Sequence, residues 1–288
     1  MNPLLVVVLV LCPVIPLLVL RVQARGLRRD RRRHHDEMAR LATLTGGRLS
    51  TPPADTAPWS ARFRPAFESI VTAGPLARMT VFSPPEYPHA TDFVRHGRSV
   101  RVSEAMLVKQ RFAASRGDSH VRWECRIDVP APTSPRIEIG PNRSAAPHPE
   151  KLRLPSELTR HLGVETTDPR FASLVLTPEA VDALVRTWEH LPGVVRLEGG
   201  LLFLVTEGGP TAERVLAAVD ALIAFLDRVP THAWPHGEQT PAGPPAALFD
   251  AEPPRSDPLA RPRVTTVVLV SAGVFLLTVF CVVLAVSL

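Results

Sequence analysis

The sequence predicts an α+β protein, β-rich in its first part and closing on a helix–hairpin–helix unit, flanked by two transmembrane helices. Three observations lead there. Uncharged apolar runs stand at both ends, short alternating segments broken by Gly and Pro fill the region after residue 76, and two helical stripes bracket a Gly199-Gly200 turn. The resulting plan has spans at 3–20 and 264–288, a basic juxtamembrane helix over 21–47 and a Pro-rich connector over 48–75. An α+β domain follows over 76–230, then a Pro-rich tether over 231–262.

The C-terminal run carries no charge in 25 positions. As a helix it reaches about 37 Å, enough for a hydrocarbon core of about 30 Å with some tilt. Residues 3–20 are shorter and interrupted by Pro13 and Pro16. Val22-Gln23-Ala24 resembles a signal-peptide cleavage site, but no Lys or Arg precedes the run and Arg21 intrudes before the site. A retained span fits better. Leu9-Val10-Leu11-Cys12 is a poor lipoprotein signal, because leucine precedes the cysteine.

Charge placement sets the topology. Residues 21–40 hold eight arginines against Asp30, Asp36 and Glu37, a balance of +5 that equals the whole-chain value. The rest therefore sums to zero, and no basic face offers itself to nucleic acid phosphates. Arginines follow the first span and precede the second (Arg255, Arg261, Arg263). Both spans thus choose the same arrangement: a two-pass plasma-membrane protein, termini outside and central domain cytoplasmic. Arg25, Arg28, Arg29, Arg31, Arg32 and Arg33 are candidate contacts to the membrane surface, each contributing about 1 kcal/mol near an anionic leaflet. Only Cys125 lies outside the apolar ends, which excludes an internal disulfide and a CxxC pair in the domain and fits a reducing compartment.

Along the domain, 26–45 reads as a helix stopped by Gly46-Gly47. A short helix is possible at 65–72. Strands follow at 78–82, at 93–94 with 100–102 as a hairpin around Gly97, at 104–112 and at 120–129, with 115–118 a turn. Thr177-Pro178-Glu179 offers an N-cap followed by proline at the first helical position. Val181, Leu184, Val185, Trp188 and Leu191 then share a face. Strands at 194–198 and 201–206 meet at Gly199-Gly200. A helix over 211–229 carries Val215, Leu216, Val219, Leu222, Ile223 and Leu226, and Pro230 ends it. Trp59 and Trp234 flank the domain and are candidates to dock the tethers or sit at the interface with lipid.

Several pieces together resemble an uncharacterised family of actinobacterial membrane proteins with a cytoplasmic α+β domain. They are Asp128-Val129-Pro130-Ala131-Pro132, Pro135 to Pro141, Thr167-Asp168-Pro169-Arg170-Phe171-Ala172, Leu176-Thr177-Pro178, Leu197 to Leu202, and Phe225 to Pro230. The resemblance covers about 75–230. It implies one or two spans near the N-terminus and a cytoplasmic α+β domain without established activity, so it assigns no catalytic residue. This chain departs from that layout in placing its second span at the extreme C-terminus.

Fragments that look like chemistry are few. Phe93 to Ser99, with Arg95-His96-Gly97, resembles the signature of the histidine phosphatase family, in which His takes up a phosphoryl group and Arg neutralises it. His236-Gly237 would supply a second histidine. The segments after the motif alternate like strands, however, and a hairpin tip is the simpler reading. Ser119 and His120 would point to opposite faces of a strand. His34-His35-Asp36-Glu37 carries metal-ligand types at successive helical positions that do not converge on one ion. No cofactor or metal is expected. The expected function is a non-enzymatic, membrane-tethered module binding the bilayer and a protein partner or its own copy, with no nucleic acid. The alternatives are a phosphoryl-transfer enzyme using Arg95 and His96, and a ligand- or lipid-sensing domain with an apolar pocket.

Overall fold

A computed structural model of the chain describes residues 3–51, 56–63, 80–82, 85–111, 120–141, 151–152 and 162–235. The second apolar run, the possible helix at 65–72, the 115–118 turn and His236-Gly237 lie outside these residues.

Helix α1 runs from Pro3 to Thr45 as one element. No boundary separates an N-terminal span from a juxtamembrane helix. Arg, Leu and Ala supply more than half of residues 21–45 and are good helix formers, and Gly26 is the weakest there, at about 1 kcal/mol. The helix stops at Gly46, which takes a φ of +64° that other residues rarely adopt. Among the described residues no helix is long and apolar enough to cross a membrane.

The remaining elements form one antiparallel sheet with helices on it. The strands are β1 (Arg48–Ser50), β2 (Thr80–Phe82), β3 (Glu86–Arg95), β4 (Arg98–Arg111), β5 (His120–Pro130), β6 (Ile137–Pro141), β7 (Lys151–Leu152), β8 (Leu162–Thr166), β9 (Gly193–Glu198) and β10 (Leu201–Glu207). Their order is β1-β3-β4-β5-β10-β9-β6-β8-β7, with β2 beside β4. The stretches expected as separate strands at 100–102 and 104–112 are one long strand, β4. The Gly199-Gly200 hairpin does not form a second unit behind a β-rich first part. It supplies the middle of the sheet, between β5 and β6. Helix α2 (Pro169–Val175) and the strands β6 to β8 go beyond the elements read from periodicity.

Strand register sorts the side chains by face. One face carries Val100, Val102, Cys125, Ile127, Val129, Leu202, Leu204, Val195, Leu197, Ile137 and Ile139, all buried. Helix α3 (Pro178–His190), helix α4 (Ala212–Arg228) and the end of α1 pack there as a single core. Met38 and Leu41 belong to that core, so the end of α1 is part of the domain. So is the start of the expected tether: Ala233 and Trp234 are buried, and Trp234 lies 6.1 Å from the Phe171 ring.

The helices begin as local chemistry dictates. Asp168 accepts from the amides of Arg170 and Phe171 at 2.9 and 3.0 Å, capping α2 ahead of Pro169. Thr177 caps α3 through Ala180 N at 3.3 Å. Asp168→Ala is expected to cost about 1 kcal/mol, read by urea denaturation, because two amides lose their acceptor. A neutral result would mean water replaces the cap without loss.

Candidate functional site

Three places hold chemistry-bearing side chains. The first is the tip of the β3–β4 hairpin, where Arg95 pairs with Arg98 in register. His96 and Gly97 take φ of +50° and +75°, as a two-residue turn of the mirror-image type requires. A tight turn stands where the phosphatase resemblance calls for a crossover helix. Both candidate residues reach one aspartate on α4. Arg95 Nε and Nη2 donate to Asp220 at 2.7 and 2.8 Å, and His96 Nε2 lies 3.0 Å from the same carboxylate. The Arg95 hydrogen bond, against some burial, holds the Asp220 carboxyl below its usual range. The arrangement clips the hairpin to the helix. His96 is exposed and Arg95 and Asp220 are only half-buried, so Asp220→Asn is expected to cost about 1 kcal/mol or less in urea unfolding. A loss several times larger would show that the clip organises more than the tip.

The second place is the other sheet face. Register aligns Arg48, Asp92, Arg101, Asp128, Phe203, Arg196, Glu138, Glu165 and Lys151 in one row across nine strands. Charges alternate along much of it, so cross-strand neighbours attract. The connector lies over this row. Arg101 donates to Asp92 at 2.7 and 2.8 Å and to the Ala57 carbonyl at 3.1 Å, with Trp59 5.2 Å above its guanidinium. Ser60 donates from N and Oγ to Asp128 at 3.1 and 2.6 Å. Arg196 donates to the Phe63 carbonyl at 3.1 Å. Three charged groups thus hold residues 56–63 in place, and Trp59 and Phe63 cover Leu201, Phe203 and Val205. Beside the row Arg126 and Glu124 are fully buried and joined at 2.5 Å. Burial pushes the Asp128 carboxyl up, partly offset by Ser60.

The third place is the seam between α1 and the sheet. His34 Nδ1 lies 2.7 Å from Glu104 Oε1, and its ring stacks on Trp123 with centroids 3.7 Å apart. His35 turns to His89 on β3, with ring centroids 4.9 Å apart. The adjacent histidines thus diverge, as helical geometry demands. Around them Arg31 meets Glu86 at 3.2 Å, Thr91 Oγ1 donates to the Met38 carbonyl at 3.1 Å, and Arg40 pairs with Glu213. Glu37 accepts from Ala212 N at 3.0 Å and so caps α4 from another helix. Gly209 makes this fit possible: a Cβ there would stand 2.1 Å from His34 Cε1. Asp30, Arg33, His34, Glu37, Gly209 and Pro210 line a polar cleft of about 120 Å³. That is not an apolar lipid pocket. No group of three or more His, Cys, Asp or Glu among the described residues is placed to hold a metal ion.

The six arginines proposed for the membrane surface are all exposed. At 100° per residue Arg25, Arg28, Arg29, Arg32 and Arg33 fall opposite Met38 and Leu41, so α1 docks by one face and presents guanidinium groups on the other. Arg31 turns toward the domain instead. Sequence reasoning missed Glu104 and His89 because their partners lie 70 and 54 positions away in the chain, and nothing local announces the pairing.

No known protein family matches the chain by sequence, and neither does any curated protein. In structure it is similar to the mycobacterial trehalose monomycolate transport factor A, TtfA. The identity is 10%, with 68% of this chain and 95% of that chain covered, at a TM-score of 0.42. A likeness that slight carries no argument. The class defined by the structure itself is a mixed α+β domain on one antiparallel sheet.

Proposed function

We propose that the chain is a membrane-tethered, non-catalytic module whose α+β domain binds a protein partner, or a second copy, beside the bilayer. One observation supports this above others: α1 continues unbroken from the uncharged run at its start into the domain core, where Met38 and Leu41 are buried. A helix transmits orientation, whereas a flexible linker of the same length would not. A domain joined in this way sits at a set height and angle relative to whatever holds residues 3–20. In this reading both apolar runs cross the plasma membrane, with the domain on the cytoplasmic side. The clustered arginines support that side. Confinement to a thin layer raises the domain's effective concentration for partners in the same membrane.

The polar groups described above act structurally in this reading: Arg95 and His96 as a clip, Asp128 and Arg101 as anchors for the connector. The test is crosslinking of the full-length protein in native membranes with a reagent reactive toward surface carboxylates and amines, after alkaline carbonate washing. A discrete adduct retained in the washed membranes supports the module. Release of the protein by carbonate would remove the tether. Phosphatase activity lost on His96→Ala would replace the binding role with catalysis.

A further inference from the structure

At the seam, histidines from α1 and β3 gather beside one buried carboxylate on β4. Glu104 sits on β4 at 2% exposure, with Oε1 on His34 of α1 and Oε2 without a hydrogen bond among the described residues. His89 on β3 is its direct cross-strand neighbour, and its buried Nδ1 also lacks a partner. His35 of α1 closes on the His89 ring from the other side. The groups facing His89 are therefore Arg31, His34 and His35 from α1, Glu104 from β4, and Glu86 from its own strand. We propose that this seam is a proton-operated latch on α1: with His89 neutral the helix holds to the sheet, and protonation of His89 loosens it.

The geometry sets the direction. A proton on His89 would lie in a half-buried place beside two further imidazoles and a guanidinium, while the nearby carboxylate is already engaged by His34. Burial first, then His35, His34 and Arg31, lowers the His89 pKa from 6.5 to about 4. A group depressed in the docked state takes up its proton only after release. Docking is therefore at full strength above about pH 6.5 and weakens as pH falls from there toward 4. Glu104 works the other way. Burial raises its pKa, so the docked state gains a proton there at low pH, which opposes the fall. The latch is independent of the membrane reading, since it needs only α1, β3 and β4.

Amide hydrogen exchange of the full chain in mild detergent tests it, at pH 7.5 and pH 5.0 with intrinsic rates corrected. Protection over residues 31–45 is expected to fall about tenfold at pH 5.0 relative to α3 and α4, which report whether the domain stays folded. His89→Phe keeps the ring and cannot protonate, so it should abolish that fall. His35→Gln, which removes one facing imidazole, should reduce it and serves if the first variant fails to fold. Equal protection at both pH values in the parent protein would overturn the latch. So would an undiminished fall in a folded variant.

Discussion

Arg126→Met is expected to remove about 3–5 kcal/mol of unfolding free energy, the cost of breaking a buried ion pair from one side. Both partners are fully buried, at the sheet centre beside the connector. Truncating the arginine leaves Glu124 without its guanidinium in a place where water is excluded. Because a domain's total stability is about 5–15 kcal/mol, the variant should approach unfolding at room temperature. Replacing the pair together, as Glu124→Leu with Arg126→Met, should recover most of the loss, since two apolar side chains carry no desolvation penalty. Urea denaturation followed by tryptophan fluorescence reads both. A near-neutral single variant would mean that Glu124 is compensated without Arg126.

Leu41→Ala is the second large effect, expected at about 2–5 kcal/mol for a fully buried leucine replaced by a methyl group. Leu41 is 1% exposed and lies in the core shared by α1, the sheet and α4. The loss should concentrate on α1: exchange over 26–45 rises strongly while the β4–β5 amides stay protected. If all elements lose protection together, α1 is not a separately docked piece but an inseparable part of the fold.

Local chemistry made much of the fold legible. Thr177-Pro178, Gly199-Gly200, Pro230 and Gly46-Gly47 each mark an element end, and each marks it for a stereochemical reason that operates within a few residues. What was not legible depends on distance. That β4 is one strand of 14 residues follows from β5 pairing along most of it, which no local pattern around Ser103 signals. Helix α2 spans seven residues, too few for a periodic stripe, and only Asp168-Pro169 hinted at it. The charged row across the sheet was hidden because its members come from nine strands. In sequence Asp92, Asp128 and Arg196 look like ordinary surface residues. The seam was half visible: His34 and His35 stood out, but as metal-ligand types, and their partners on β3 and β4 could be named only once the strands were in register.

The central place of the β9–β10 hairpin has a consequence for synthesis. As the ribosome delivers the chain, strands β1 to β5 and strands β6 to β8 emerge first, yet they have no shared border until residues 193–207 arrive. Until then the inner rims of β5 and β6 present bare amides and carbonyls, a template for misassociation between nascent chains. Closure must wait for pairings of long sequence separation, which favours slow folding. Truncation between Thr166 and Gly193 would leave two half-sheets rather than a smaller protein.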